Sequence, residues 1–195
     1  MKDRFFAYNH PDNIPEKGSL LISEPLMPDD NFSRTVVLLC EHNDEGSFGF
    51  VLNRPSEMVL GEIMVETPEA KNKVFIGGPV QQNTLHYVHR IPDMLEDSIE
   101  IKKGVNWGGN FEQLKVLIES NAIEEQQIRF FVGYSGWGAG QLMDEMKLNS
   151  WIVFKGITSE HIFDTKPDEL WKLTLEHMGG KYRMYSNYPV DPRLN

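Results

Sequence analysis

Three groups of residues in this chain have the types and spacings that chemistry needs. Cys40 and His42 stand two positions apart on an extended run, so both project from one face, where an imidazole can assist a thiol. A lone cysteine after Thr-Val-Val-Leu-Leu also fits a small core hydrophobe, and two ligand-type side chains without partners do not make a zinc site. Gly133-Tyr134-Ser135-Gly136-Trp137 begins like the nucleophile elbow G-x-S-x-G but carries Trp in the last position. His161 and His177 are the imidazoles downstream of it. The plain alternative is that the aromatics cap a core and the glycines allow tight packing. Asp30, Arg34, Asn53 and Arg54 fall at strand ends beside one hairpin, where opposed ends meet. They read as a structural clamp or, if they face Tyr134, as a pocket for a small anionic or polar ligand.

The elements that must position these groups follow from pattern. Leu20–Ile22 and Thr35–Cys40 are continuous apolar runs of the kind buried on both faces of a sheet. Asn43–Ser47 has hairpin-turn chemistry, and Phe48–Asn53 is the return strand, closed by Arg54 and Pro55. Gly49 inside it predicts a bulge or a close backbone approach. Helical spacing at Val59–Val65 predicts one or two turns. Lys73–Ile76, Thr84–Arg90 and Ser98–Lys102 read as strands, Gly77-Gly78-Pro79 as a glycine turn, and Gly104–Gly109 as a loop carrying Trp107.

Helices are expected at Asn110–Asn121, capped by Asn110, at Gly140–Ser150, at Thr158–Phe163 and at Pro167–Met178, which stops at Gly179. Phe130–Val132 is a strand expected to end at Gly133, leaving Tyr134, Ser135 and Trp137 on a turn. Ile152–Phe154 is a further strand, and the tail from Lys181 reads as loop. Hairpins followed by scattered helices argue an α+β fold with a mixed sheet. Residues 1–17 read as an arm, whose Phe5 and Phe6 can pack on the body or on a second subunit in a homodimer, and residues 18–195 as a single domain.

Composition narrows the function classes. The formal net charge is −10 over 195 residues, so polyanions are repelled on average and direct nucleic-acid binding is disfavoured. One cysteine forbids an intrachain disulfide and fits a reducing compartment. The charged, proline-broken start does not read as a signal peptide, and no stretch approaches the roughly 18 apolar residues of a membrane span. A cytoplasmic protein without membrane attachment is expected. Neither glycine segment matches a dinucleotide or phosphate loop, so no cofactor and no metal are indicated.

Several segments together resemble one family. GSLLISEPLMPDDNFSRTVVLLCEHNDEGSFGFVLNRP, the FIGGPV turn, FFVGYSGWGAGQLMDEMKLNSW and the closing YPVDPRLN are similar to the AlgH/YqgE family, from about Gly18 onward. The resemblance implies an α+β fold with a bifurcated mixed or antiparallel sheet curled into a pseudo-barrel and flanked by helices. It also implies the family's label of bacterial transcriptional regulator, a label without an established molecular activity. With no helix-turn-helix signal, regulation is expected to be indirect, through a small ligand or a protein partner. An enzyme using Ser135 or Cys40 with His42, hydrolase-like, is the alternative, and a direct DNA binder is the disfavoured one. No catalytic residue is assigned. The candidate ligand-binding set is Asp30, Arg34, His42, Asn53, Arg54, Gly77, Gly78, Tyr134, Ser135, Trp137 and Gln141.

Overall fold

The computed structural model describes residues 13–189. The first strands are β1 (Leu20–Ser23), β2 (Val36–Asn43) and β3 (Gly46–Val51), and then come β4 (Pro55–Val59), a 3-10 turn at Leu60–Glu62, β5 (Lys73–Ile76) and β6 (Val80–His89). After β7 (Ile99–Lys102), β8 (Val105–Trp107) and α1 (Phe111–Glu119) comes the long β9 (Ile128–Gly138). The chain closes with α2 (Gln141–Lys147), β10 (Trp151–Phe154), α3 (Ser159–Phe163), α4 (Pro167–Met178) and α5 (Gly180–Tyr185).

The ten strands form one sheet in the order β10-β1-β2-β3-β9-β6-β8-β7, with β5 joining β9 and β4 joining β5 off that path. Every pairing is antiparallel except β5 with β9. The sheet is therefore mixed and divides at β9, while its ends, β10 and β7, do not pair and leave it open. The α+β class and the bifurcation agree with the expectation from sequence.

Leu20–Ile22 of β1 and Val36–Cys40 of β2 are uninterrupted apolar runs because both faces are covered. Leu20, Ile22, Val36 and Leu38 pack with Leu170, Trp171 and Leu175 of α4, whereas Leu21, Val37 and Leu39 pack with Leu142 and Met146 of α2. A third core sits under α1, where Leu114 meets Tyr87, Phe130 and Val132. Asn110 caps α1 as expected, its Oδ1 accepting from the amides of Glu112 and Gln113. The β2–β3 hairpin forms where the turn residues predict it, with Asn43 opposite Gly46. Its ladder slips between Leu39 and Glu41, and a Cβ on Gly49 would lie 2.2 Å from the Leu38 carbonyl oxygen, so bulge and close approach are both present.

Five local expectations change. β9 does not stop at Gly133. Gly133 has φ +67°, a left-handed conformation that costs glycine nothing, and it bends the strand without ending it. Opposite this bend the β6 register slips between Val80 and Leu85. Tyr134, Ser135 and Trp137 therefore stand on a strand, not on a turn. Gly104–Gly109 is not all loop, because Lys103 and Gly104, the latter at φ +75°, form a tight turn that returns the chain as β8. Pro55 begins β4 instead of ending a strand, and the helical spacing of Val59–Val65 yields only the 3-10 turn. The segment from Gly180 is α5, a helix restarted after Gly179 breaks α4 at φ +67°. The expectations for Phe5 and Phe6 and for the end of the chain lie outside the described residues.

His89 shows how the interior handles a titratable group. It is fully buried; its Nδ1 accepts from the Ile91 amide at 3.2 Å, so Nε2 carries the proton and donates to the Gly108 carbonyl at 2.9 Å. Burial pushes its pKa below the usual imidazole value, against the smaller opposite effect of the Gly108 bond. Protonation thus favours the unfolded chain, whose histidines titrate near 6.5. The stability that neutral His89 contributes should be complete above about pH 6.5 and decline as the pH falls toward the depressed folded value. Denaturation midpoints between pH 7.5 and 5 should show this decline. His89→Gln should start lower and fall less steeply.

Candidate functional site

A shallow cleft of about 580 Å³ opens where the hairpin end of β2–β3 meets the far half of β9. Register builds it. Gly46–Gly49 pair with Ser135–Gly138, which brings Phe48 beside Gly136 and places Tyr134 near Val80 of β6. Phe48 and Trp107 stand edge to face with centroids 5.0 Å apart, Phe48 and Tyr134 at 6.2 Å, and His86 and Tyr134 at 5.9 Å. All four rings are only half-buried although each packs on neighbouring aromatics. Glu41 and Glu45 stand on the rim. Burial lowers the pKa of His86, so its ring is neutral at physiological pH. An aromatic floor under an acidic rim suits a ligand with an apolar or π-facing surface and a positive charge.

The expected site residues fall into separate places. Tyr134 lines the cleft, and His42 stands beside it with Nδ1 2.7 Å from the Ser47 hydroxyl. Asp30, Arg34, Asn53 and Arg54 do come together, as a clamp through backbone. Arg54 donates to the Asp30 carbonyl, the Asn53 amide donates to the Arg34 carbonyl, and Asn53 Oδ1 accepts from Val36. Arg34 itself donates to the Tyr188 carbonyl and lies 4.7 Å from the Trp171 ring centre. Asn53 is five residues from Phe48 along the strand direction, about 16 Å at an ordinary strand rise, so the clamp does not reach the cleft.

Gly77, Gly78 and Ser135 make a crossing. The Gly77 amide donates to Val132, and its carbonyl accepts from both the Val51 amide and the fully buried Ser135 hydroxyl at 3.1 Å. Gly78 runs against the Tyr134–Ser135 peptide, 2.3 Å from where its own Cβ would be. Cys40 is also sealed, and desolvation pushes its thiol pKa well up. Among the described residues no group of three or more metal-ligating side chains occurs.

Trp137 and Gln141 belong to a network around Glu145. Glu145 Oε2 accepts the indole N–H of Trp137 at 3.0 Å and that of Trp151 at 2.7 Å, while Oε1 accepts from Gln141. Gln141 in turn accepts from the Gly138 amide, so one carboxylate ties α2 to β9 and β10. Trp137 also forms part of the cleft wall. Sequence reading missed Phe48, His86, Glu41, Glu45 and Ser47 as cleft residues and placed Trp107 on a loop. The signal that could have found them is the pairing of two glycine-rich strands, Gly46–Gly49 with Ser135–Gly138.

The family model described as AlgH-like matches residues 20–183. The chain belongs to the AlgH-like family. Among relatives of this AlgH-like chain, a UPF0301 protein of Cytophaga hutchinsonii is 47% identical over 180 residues, spanning 92% of this chain and 98% of the relative. A UPF0301 protein of Chlorobium limicola is 43% identical, over 91% of this chain and 95% of that one. The solution structure of the AlgH protein from Pseudomonas aeruginosa superposes with a TM-score of 0.69 at 28% identity, covering 89% and 94% of the two chains. A crystal structure of a Corynebacterium diphtheriae protein shares the fold at a TM-score of 0.74 and 21% identity, covering 93% and 97%. In this AlgH-like chain no described helix is long and apolar enough to cross a membrane.

Two outcomes follow from the site geometry. Glu145→Ala orphans two indole donors and should lower unfolding stability by about 2–4 kcal/mol, whereas Glu145→Gln, which keeps an acceptor, should lose less. Urea denaturation of both variants checks the order. Cys40 should resist iodoacetamide in the native protein and react at once in denaturant, as mass spectrometry of the alkylated chain would show.

Proposed function

We propose that this protein is a binding module whose aromatic cleft takes a small ligand, or an exposed side chain of a protein partner, bearing a cationic group. The observation that carries this is the half-buried set Phe48, Trp107 and Tyr134 under the carboxylates of Glu41 and Glu45. Such rings expose π-faces that attract a cation, and the rim adds opposite charge where the ligand enters. Any role in transcription, as the family label has it, is then indirect and cytoplasmic, through ligand or partner and not through DNA. The acidic balance of the chain supports that reading.

A hydrolytic reading finds its support at a different serine from the one in the glycine-rich motif. Ser135 is buried and donates to a carbonyl, while Ser47 lies on the cleft 2.7 Å from His42. Ser47 and His42 are directly opposed across the hairpin, and a cross-strand pair accounts for their contact without catalysis. Among the described residues His42 has no further hydrogen-bond partner to orient its ring, so the binding reading is preferred.

The test is a thermal-shift titration of the purified protein with quaternary ammonium, methylated lysine and aromatic amine compounds. A ligand present at about 100 times its dissociation constant should stabilise by about 2.7 kcal/mol. Trp107→Ala and Glu45→Gln should each weaken the response, and Glu45 is exposed, so its variant leaves the fold alone. Absence of any saturable shift, or shifts that both variants retain, would rule the reading out. Labelling of Ser47 by a fluorophosphonate probe would favour the hydrolytic one.

A further inference from the structure

A second cleft, of about 300 Å³, lies where the first residues of β9 meet the start of α4. Its chemistry centres on Arg129, which is only 7% exposed. The guanidinium lies 4.7 Å from the Phe75 ring centre, and Nη1 donates to the Leu52 carbonyl at 3.0 Å. That bond uses one of five donors. Among the described residues, Thr67 Oγ1 is the buried side-chain polar atom without a partner. The unbonded nitrogens of Arg129 are therefore not sealed in the core, and they reach the surface of the cleft that this side chain lines.

Neighbouring carboxylates do not take these donors. Both oxygens of Asp164 accept from Arg90, at 2.9 and 3.2 Å, and Glu125 makes no bond to Arg129. Burial pushes the Arg129 pKa down to about 10, with Asp164 and Glu125 pulling it back, so the group stays charged at neutral pH. Lys73 and Lys166 share the lining, so four cations, counting Arg90, stand against the two carboxylates Glu125 and Asp164. This local surplus occurs in a chain of net charge −10. Among the described residues most of the Arg129 fork is unbonded, and its planar geometry matches two oxygens of one anion.

We propose that this cleft is an oxyanion site, taking a small organic molecule through a terminal carboxylate or phosphate held by the free edge of Arg129. Lys166 and Lys73 draw the anion in, and Phe75 and Phe163 wall the apolar part of the ligand. The site is separate from the aromatic cleft and does not depend on what that cleft binds.

The full-length protein is titrated with inorganic phosphate, acetate and benzoate, against sodium chloride at matched ionic strength. Melting temperature and the Arg129 Nε–H resonance are the readouts. At least one oxyanion should saturate both. Saturation by acetate or benzoate identifies an organic acid, saturation by phosphate a phosphate group, and either supports the site. Lys166→Gln should weaken binding roughly two- to fivefold, the effect of one exposed charge contact. The Lys166 side chain caps nothing in α4, so this variant keeps the fold. Arg129→Lys should weaken binding about tenfold or more, as expected for a lost charge-assisted pair. If every anion follows the chloride curve, or if saturation is unchanged in Lys166→Gln, the proposal is overturned, whether or not Arg129→Lys folds.

Discussion

A strand has two hydrogen-bonding edges, and β9 has three partner strands. It satisfies all of them by dividing its length: β5 and β6 bracket residues up to Tyr134, and β3 takes over from Ser135 to Gly138. The bend at Gly133 makes that division, and the link from β5 to β6 has to cross β9 close to it. Gly77 and Gly78 form the crossing, held by bonds to Val132, Val51 and Ser135. No side chain beyond hydrogen fits between these backbones. The two glycine-rich segments, so far apart in the sequence, are the two halves of one contact.

Both clefts follow from this arrangement. Beyond the bend, β9 leaves β6 and joins β3, and the rings of Tyr134, Phe48 and Trp107 gather where the two parts of the sheet diverge. At the other end, β9 begins under α3 and α4, where Arg129 enters the core next to Phe75. The network of Glu145 anchors the far half of the strand from the opposite face. The two clefts therefore sit at the ends of β9, and its middle is packed.

Much of the fold was legible because local pattern and tertiary burial agree. Val36–Cys40 is apolar on every residue, and the structure covers it on both faces; Asn110 starts a helix and Gly179 stops one by capping geometry. The hairpin turn at Asn43–Ser47 was equally readable. What was misread depends on partners distant in sequence. Gly133 looks like a strand end because glycine usually punctuates, and only the crossing segment from Gly77 shows that it serves a bend. Arg34 and Asn53 were correctly grouped, but their bonding to backbone carbonyls is invisible to residue type. Phe48 and Trp107 become neighbours only through the pairing of β3 and β8 with different stretches of one sheet. The family resemblance carried the bifurcated architecture but could not say which of its motif positions face solvent.

The crossing also constrains the order of assembly. The β2–β3 hairpin closes over two residues, whereas the slot between β5 and β6 must receive a strand about 40 residues downstream, so that step pays a larger loop-closure entropy. Local hairpins alone cannot complete the sheet, and non-local pairings of this kind slow folding. Until β9 inserts, the edges of β3, β5 and β6 remain open to one another and to other chains. The glycines that let three backbones meet thus tie completion of the sheet to one non-local insertion.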